Sequence, residues 1–118
     1  MKILVVDDSI EITEMMSTYL TLKGDLPDVA HDGEEAVKKI QENEYDVITL
    51  DLAMPKSSGF DTLEKLKNKN ILQPEKIFVV TAMNITNTEK QRIEKYGIKN
   101  LMLKPMKISE LYSKISAR

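Results

Sequence analysis

The chain has 118 residues and no cysteine, and its 17 basic and 19 acidic residues leave a formal net charge of −2. This length fits one domain with its own core, and the lack of cysteine excludes disulfides, thiolate zinc sites and cysteine nucleophiles. The balanced charge gives no general attraction to nucleic acid or anionic lipid, and no apolar run approaches the about 20 residues that span a bilayer, so we expect a cytoplasmic protein without direct nucleic acid binding or membrane insertion.

The first predicted element is a short strand that ends in two adjacent carboxylates. The run Ile3–Val6 is apolar and β-prone, and Asp7 and Asp8 follow it directly. It is too short, and too acidic at its end, for a signal peptide. Two neighbouring carboxylates that are partly desolvated repel each other, which raises a carboxyl pKa unless a cation lies between them. The opening of the chain therefore predicts a cationic partner for this pair.

Amphipathic stretches with helical spacing then alternate with further apolar runs. The later predicted strands are Leu26–Ala30, which Pro27 interrupts, Val47–Leu50, Ile77–Val80 and Leu101–Leu103. The predicted buried faces of the helices between and after them are Ile12, Met15, Met16, Tyr19 and Leu20; Ala36, Val37 and Ile40; Phe60, Leu63 and Leu66; Ile93 and Tyr96; and Ile108, Leu111, Tyr112 and Ile115. The fourth helix, within Asn87–Tyr96, is the most polar of the five.

The boundaries of these helices carry residues that commonly cap them. Gly24 and Gly97 follow the first and fourth helices, where C-terminal caps belong. The candidate N-terminal caps are Asp32, Ser57 or Ser58, and Thr86 or Asn87. The alternation of five strands with five helices is typical of an α/β, doubly wound parallel sheet with helices on both faces. Right-handed crossovers then place the carboxyl ends of all strands along one edge.

Charged and polar side chains stand at these carboxyl ends. The first strand ends in Asp7 and Asp8, the third in Asp51, the fourth in Thr81 and the fifth in Lys104. Open α/β sheets bind ligands in the crevice beyond these ends, so we expect the five side chains to meet there. Three clustered carboxylates need a cation, and ligands that are all oxygen favour Mg²⁺. A metal beside a lysine and a hydroxyl suits phosphoryl transfer, with Asp51 as the predicted nucleophile.

The order and spacing of these residues resemble the receiver domain of two-component response regulators. The matching residues are Asp7–Asp8, Asp51 followed by Met54–Pro55 and Gly59, then Thr81, and then Lys104–Pro105. The resemblance covers the whole chain, residues 1–118, as a single domain. It implies a flavodoxin-like (CheY-like) fold with strand order 2-1-3-4-5.

The resemblance also implies how the acidic residues act. Asp51 would accept a phosphoryl group from a sensor histidine kinase or a phosphotransfer protein. Asp8 and Asp51 would bind Mg²⁺ together with the backbone carbonyl of Ala53, and Asp7 would act through water. The chain would catalyse only its own phosphorylation and dephosphorylation, so we do not expect an enzyme that acts on an external substrate.

The remaining residues of the motif imply a switch. Thr81 would hydrogen-bond the phosphoryl group, Lys104 would pair with it, and the bond before Pro105 would be cis. The response would shift the face made by the fourth helix, fifth strand and fifth helix, which would bind a downstream protein in a monomer or weak dimer. One position departs from the family, since Leu101 stands where an aromatic ring commonly rotates inward. Either loop and helix displacement would then carry the output, or the domain would be a poor switch.

Two other functions compete with a phosphorylated receiver. A receiver-like scaffold would bind partners without being phosphorylated. A phosphohydrolase of the haloacid-dehalogenase type also uses an aspartate nucleophile, but such enzymes need a second acid where this chain has Ala53. The chain ends soon after its last predicted helix, which fits either a stand-alone receiver or a piece of a longer regulator.

Overall fold

The computed structural model describes residues 1–54, 58–82 and 84–117. The strands are β1 Lys2–Val6, β2 Leu26–Ala30, β3 Val47–Leu50, β4 Ile77–Ala82 and β5 Asn100–Lys104, and the α-helices are α1 Ile10–Leu22, α2 Gly33–Glu42, α3 Gly59–Asn68, α4 Asn87–Lys95 and α5 Ile108–Ser116. A 3₁₀ turn, Pro74–Lys76, precedes β4. The strands pair in parallel in the order β2-β1-β3-β4-β5, which confirms the predicted fold. Within the described ranges, no helix combines the length and apolarity needed to cross a membrane.

Two apolar clusters fill the space between the sheet and its helices. Because side chains alternate across a strand, β1 contributes Leu4 and Val6 to one cluster and Ile3 and Val5 to the other. Helix α3 covers the first cluster, and α1 and α5 cover the second. The central strands β1 and β3 are therefore buried on both faces, which explains why their sequences are apolar at every position except Lys2 and Thr49.

The predicted caps mark the ends of the helices. The N-terminal caps are Asp32, Ser58 and Thr86, and each side chain accepts a backbone N–H three residues later. The alternative cap Ser57 lies outside the described residues. Gly24 and Gly97 follow α1 and α4 with φ angles of +88° and +84°, a left-handed conformation that glycine adopts at little cost.

The predicted buried face of α1 is wrong at Met15. Met16 and Leu20 are buried, but Met15 is 54% exposed. The buried face instead includes Thr13, whose hydroxyl donates to the carbonyl of Ile10 at 3.0 Å. Because this bond satisfies the hydroxyl, a polar residue occupies a core position that a pattern of apolar residues cannot reveal.

Asp28 fastens the edge strand β2 to the rest of the domain. The hydroxyl of Tyr45 donates to Asp28 Oδ2 at 2.6 Å, and Lys39 Nζ donates to Oδ1 at 2.9 Å. Burial raises the pKa of the Asp28 carboxyl, but these two bonds and the N–H of Val29 outweigh it and hold the pKa below its usual value of 3.8. The ionised carboxylate therefore stabilises the fold.

We expect Asp28→Asn to lower the free energy of unfolding at neutral pH by about 1 kcal/mol, because Lys39 loses a charged but solvent-screened acceptor. Since the folded pKa lies below the unfolded one, this stabilisation is complete above the unfolded value and is lost as the pH falls through the folded value. Urea unfolding of both proteins at neutral pH and well below the usual carboxyl pKa measures the effect. If the two proteins differ in free energy of unfolding by the same amount at both pH values, the charge of Asp28 does not have this role.

Side-chain contacts join α3 to α4 and to Tyr96 at the end of α4. The Arg92 guanidinium carbon lies 4.3 Å from the centre of the Phe60 ring, and the hydroxyl of Tyr96 donates to a carboxylate oxygen of Glu64. A cation–π contact and a charge-assisted hydrogen bond each stabilise such a pair of elements modestly. Together they hold α4 against α3.

Candidate functional site

The backbone of the sheet sets Asp7 and Asp51 side by side. Val6 is the register partner of Leu50, and the N–H of Asp51 donates to the carbonyl of Val6 at 3.1 Å. Each of the two aspartates is 6% exposed. The ends of β1 and β3 thus fix two carboxylates next to each other with little access to solvent.

Asp8 adds a third carboxylate to this pair. One carboxylate oxygen from each of Asp7, Asp8 and Asp51 lies within 4.8 Å of the others, and the side chain of Asp8 is exposed. Helix α1 begins without using the Asp8 side chain, because the hydroxyl of Ser9 accepts the N–H of Ile12 at 3.2 Å. The three carboxylates therefore form an acidic cluster at the carboxyl edge of the sheet.

Lys104 reaches the acidic cluster from the end of β5. Its Nζ lies 3.2 Å from Asp7 Oδ2 and 3.5 Å from Asp51 Oδ2. The peptide bond between Lys104 and Pro105 is cis, and Pro105 is exposed. The structure thus brings an ammonium between the buried carboxylates of Asp7 and Asp51, so within the predicted pair Asp7–Asp8 it is Asp7 that gains a cationic partner.

The electrostatics of the acidic cluster favour a further cation. Burial raises the pKa of Asp51, and the charge of Asp7 also raises it, while the Ala53 N–H and the ammonium of Lys104 only partly offset this. Burial lowers the pKa of Lys104, but the charges of Asp51 and Asp7 outweigh burial and leave that pKa raised. Three carboxylates against one ammonium leave two negative charges unbalanced in this crevice.

The donor atoms of the acidic cluster suit Mg²⁺. Its side chains offer carboxylate oxygens, which are the hard ligands this ion prefers. Ala53 lies beside the cluster, since its N–H donates to Asp51 Oδ1 at 3.0 Å. The carbonyl of Ala53 belongs to the same short loop, so the residues present fit a magnesium site.

The other predicted site residues lie on β4, on β5 and in the segment after β3, and they differ in how deeply they are buried. Thr81 is 5% exposed on β4 and pairs with Leu103, one position before Ala82 pairs with Lys104. Leu101 is half-buried and packs against the apolar cluster covered by α3. Within the sequence motif Met54–Pro55, Met54 is buried and Pro55 lies outside the described residues.

Gly59 allows α3 to begin directly beside the residue that follows β3. Its N–H donates to the carbonyl of Leu52 at 3.0 Å. A Cβ atom at Gly59 would lie 2.7 Å from the carbonyl oxygen of Asp51 and 2.8 Å from Leu52 Cα, closer than real Cβ atoms approach. The sequence motif contains Gly59, but the steric reason for this glycine becomes visible only in three dimensions.

Sequence reasoning missed two polar residues near the acidic cluster. Ser9 caps α1, and its place directly after Asp7 and Asp8 was the available signal. Thr49 is 3% exposed in the middle of β3. A single hydroxyl within the otherwise apolar run of Val47–Leu50 was the available signal.

Comparison with known sequences matches the chain to the response regulator receiver domain over residues 3–116. The chain is 34% identical over 116 residues to the transcriptional regulatory protein CpxR homolog of Haemophilus influenzae, which covers 98% of this chain and 49% of that protein. The chain spans about half the length of this and other curated relatives it matches. The similarity therefore concerns one part of those longer proteins.

Solved structures show the same architecture. The receiver domain of the Francisella response regulator 1452 matches with a TM-score of 0.84 and 33% identity, covering 98% of this chain and 93% of that one. The response regulator TrrA of Thermotoga maritima, solved in complex with Mg²⁺ and BeF, matches with a TM-score of 0.78 and 30% identity, covering 98% and 96%. The sequence and structure comparisons thus both match the chain to response regulator receiver domains.

Proposed function

Because the chain belongs to the family of response regulator receiver domains, we propose that it is a phosphorylation-controlled signalling module whose phosphoacceptor is Asp51. The observation that carries this proposal is the convergence of Asp7, Asp8, Asp51 and Lys104 at one edge of the sheet. The phosphoryl donor would be a sensor histidine kinase or a phosphotransfer protein. Residues 1–118 would act together as one receiver domain.

Mg²⁺ would be the cofactor of this module. Asp8 and Asp51 would hold it together with the backbone carbonyl of Ala53, and Asp7 would contact it through water. When bound, the ion would supply positive charge against the phosphoryl oxygens. The relative TrrA, solved with Mg²⁺ and BeF, supports this assignment.

Asp51 would act as a nucleophile towards phosphorus. One of its carboxylate oxygens forms the new bond to phosphorus while the bond from phosphorus to the donor nitrogen breaks, and the imidazole leaves with that electron pair. The product is an acyl phosphate on Asp51. Lys104 lies 3.5 Å from Asp51 Oδ2 in the structure, so its ammonium can pair with the phosphoryl oxygens without crossing the site.

The new charge would act as a switch. A phosphoryl group adds about −1.5 to −2 charges and several hydrogen-bond acceptors at the sheet edge. Thr81 and Lys104 would turn towards it, and the face formed by α4, β5 and α5 would change its affinity for a downstream protein. Leu101 has no ring to rotate, so loop and helix displacement would carry this response.

Incubation with acetyl phosphate tests the proposal directly. We expect the intact mass to rise by one phosphoryl group with Mg²⁺ present and to stay unchanged when EDTA removes it. Beryllofluoride with Mg²⁺ should shift the NMR resonances of residues around Asp51. A chain that gains no phosphoryl group and does not bind beryllofluoride is instead the scaffold considered above.

We expect Thr81→Ala to be phosphorylated but to lose most of the coupled change in α4 and β5, because the hydroxyl that would bond the phosphoryl group is absent. NMR shifts of the two elements with and without beryllofluoride measure this. Thr88→Ala, at an exposed position of α4, is the matched control and should respond like the wild type. If beryllofluoride shifts the α4 and β5 resonances of Thr81→Ala as much as those of the wild type, Thr81 does not have the role given to it.

A further inference from the structure

A cleft opens between α1 and α5 on one face of the sheet and ends at the acidic cluster. Its volume is about 450 Å³. Six apolar side chains from the sheet and the two helices form much of its wall: Val5, Val80, Ile12, Met16, Ile108 and Leu111. Clefts of this size and lining are typical of sites for small molecules, and the apolar wall favours an apolar body.

Thr49 places one polar group on the wall of this cleft. The residue is 3% exposed and lines the cleft, yet its hydroxyl makes no hydrogen bond to any residue that the structure describes. Among the described residues, every fully enclosed side-chain oxygen or nitrogen has a hydrogen-bond partner. Because the Thr49 hydroxyl has none, it is not fully enclosed, and the space it faces is the cleft that Thr49 lines. A hydroxyl in this position favours an occupant that supplies a hydrogen-bonding group.

The charged end of the cleft determines whether a cation or an anion binds there. Asp7, Asp51 and Lys104 line that end, and Asp8 lies next to it. Because two negative charges remain unbalanced there, a cation is attracted and an anion is repelled. Thr49 lies in β3 and Asp51 directly follows this strand, two residues further along the extended chain. The two polar positions are therefore about 7 Å apart.

We propose that this cleft binds a small organic cation with an apolar, ring-sized body. Its ammonium or amidinium group faces Asp7 and Asp51, and a second polar group about 7 Å away hydrogen-bonds Thr49. Because the cation and Mg²⁺ use the same carboxylates, each weakens the binding of the other by the same factor. The proposal does not depend on phosphorylation of Asp51, so the two can fail independently.

Four ring compounds of similar size test the proposal against metal-free protein: 4-hydroxybenzylamine, benzylamine, 4-hydroxybenzyl alcohol and 4-hydroxybenzoate. Binding is followed through the NMR signals of the Met16 and Met106 methyl groups, both of which line the cleft. We expect saturable shifts with 4-hydroxybenzylamine and binding at least about tenfold weaker for the neutral alcohol, since it lacks the charge-assisted contacts. The benzoate should not bind, and adding Mg²⁺ should weaken the binding of 4-hydroxybenzylamine.

Thr49→Val isolates the contribution of the hydroxyl, because valine has nearly the same shape. We expect the variant to bind 4-hydroxybenzylamine about fivefold more weakly, close to the affinity of benzylamine, and to bind benzylamine as the wild type does. Its unfolding midpoint and its phosphorylation by acetyl phosphate should be retained. If the variant is unstable, the ratio of the two amines on wild type measures the same hydroxyl contact.

Three results overturn the proposal. The first is that none of the four compounds gives saturable shifts of Met16 and Met106. The second is equal affinity for the amine and the alcohol, which removes the role of Asp7 and Asp51. The third is amine binding that Mg²⁺ leaves unchanged, which places the cation elsewhere.

Discussion

Asp51→Asn is expected to abolish phosphorylation by acetyl phosphate and, at the same time, to make the metal-free protein more stable. The first effect follows because an amide oxygen cannot form the acyl phosphate that the carboxylate would form. The intact mass should therefore show no gain of a phosphoryl group under conditions that modify the wild type.

The gain in stability follows from the charges around Asp51. Burial and the neighbouring Asp7 raise the pKa of this carboxyl, so its ionised form is unfavourable in the folded protein at neutral pH. Asparagine keeps an oxygen for the Ala53 N–H and removes the repulsion, while Lys104 keeps its contact with Asp7. We expect about 1 kcal/mol of stabilisation, a few degrees in the unfolding midpoint in EDTA.

Asp46→Asn is the matched control, because Asp46 is exposed and its oxygen accepts the N–H of Lys2, which an amide can also do. This control should be phosphorylated like the wild type and should not gain stability. Phosphorylation that persists in Asp51→Asn shows that another residue is the acceptor. A variant that is less stable than the wild type in EDTA contradicts the electrostatic account of the site.

Gly59→Ala is expected to lower the free energy of unfolding by about 2–3 kcal/mol and to slow phosphorylation. The added Cβ would lie 2.7 Å from the carbonyl oxygen of Asp51 and 2.8 Å from Leu52 Cα, so the backbone must move. Forcing an extra carbon into a packed interior has this typical cost. The same movement displaces Asp51 relative to Asp7 and Lys104, so phosphorylation should slow even in the folded fraction.

Gly24→Ala separates this steric effect from the general cost of losing a glycine. A Cβ at Gly24 meets nothing within 4 Å, but its φ of +88° disfavours alanine. We expect a loss of about 1–2 kcal/mol and an unchanged rate of phosphorylation. If both variants phosphorylate equally fast, the close approach of Gly59 does not position Asp51.

The sequence predicts the parallel sheet well because each strand is marked by local features. Val47–Leu50 is apolar at every position except Thr49, since both faces of a central strand are buried, and the strand in the structure has the same bounds. The residue after each strand then carries the polar group. Crossover handedness places these residues at one edge, which is how Asp7, Asp51 and Lys104 could be expected to meet.

Other features depend on contacts between distant parts of the chain, and no local pattern reveals them. Thr13 takes a core position on α1 in place of Met15, and its hydroxyl lies 3.0 Å from His31 Nε2, 18 positions later in the chain. The need for glycine at position 59 arises from the carbonyl of Asp51, eight positions earlier in the chain. Tyr45 and Lys39 likewise meet on Asp28 only after β2 is placed beside β1.

The side-chain contacts between α3 and α4 suggest how a movement near Asp51 could reach α4. Phe60 directly follows Gly59, which touches the loop of Asp51, and the same ring holds Arg92 of α4. If phosphorylation of Asp51 displaces that loop, we expect the displacement to reach α4 through Phe60 and Arg92, so that α3 and α4 move together. Spin labels on the two helices would then keep their mutual separation on phosphorylation while both change their distance from β2.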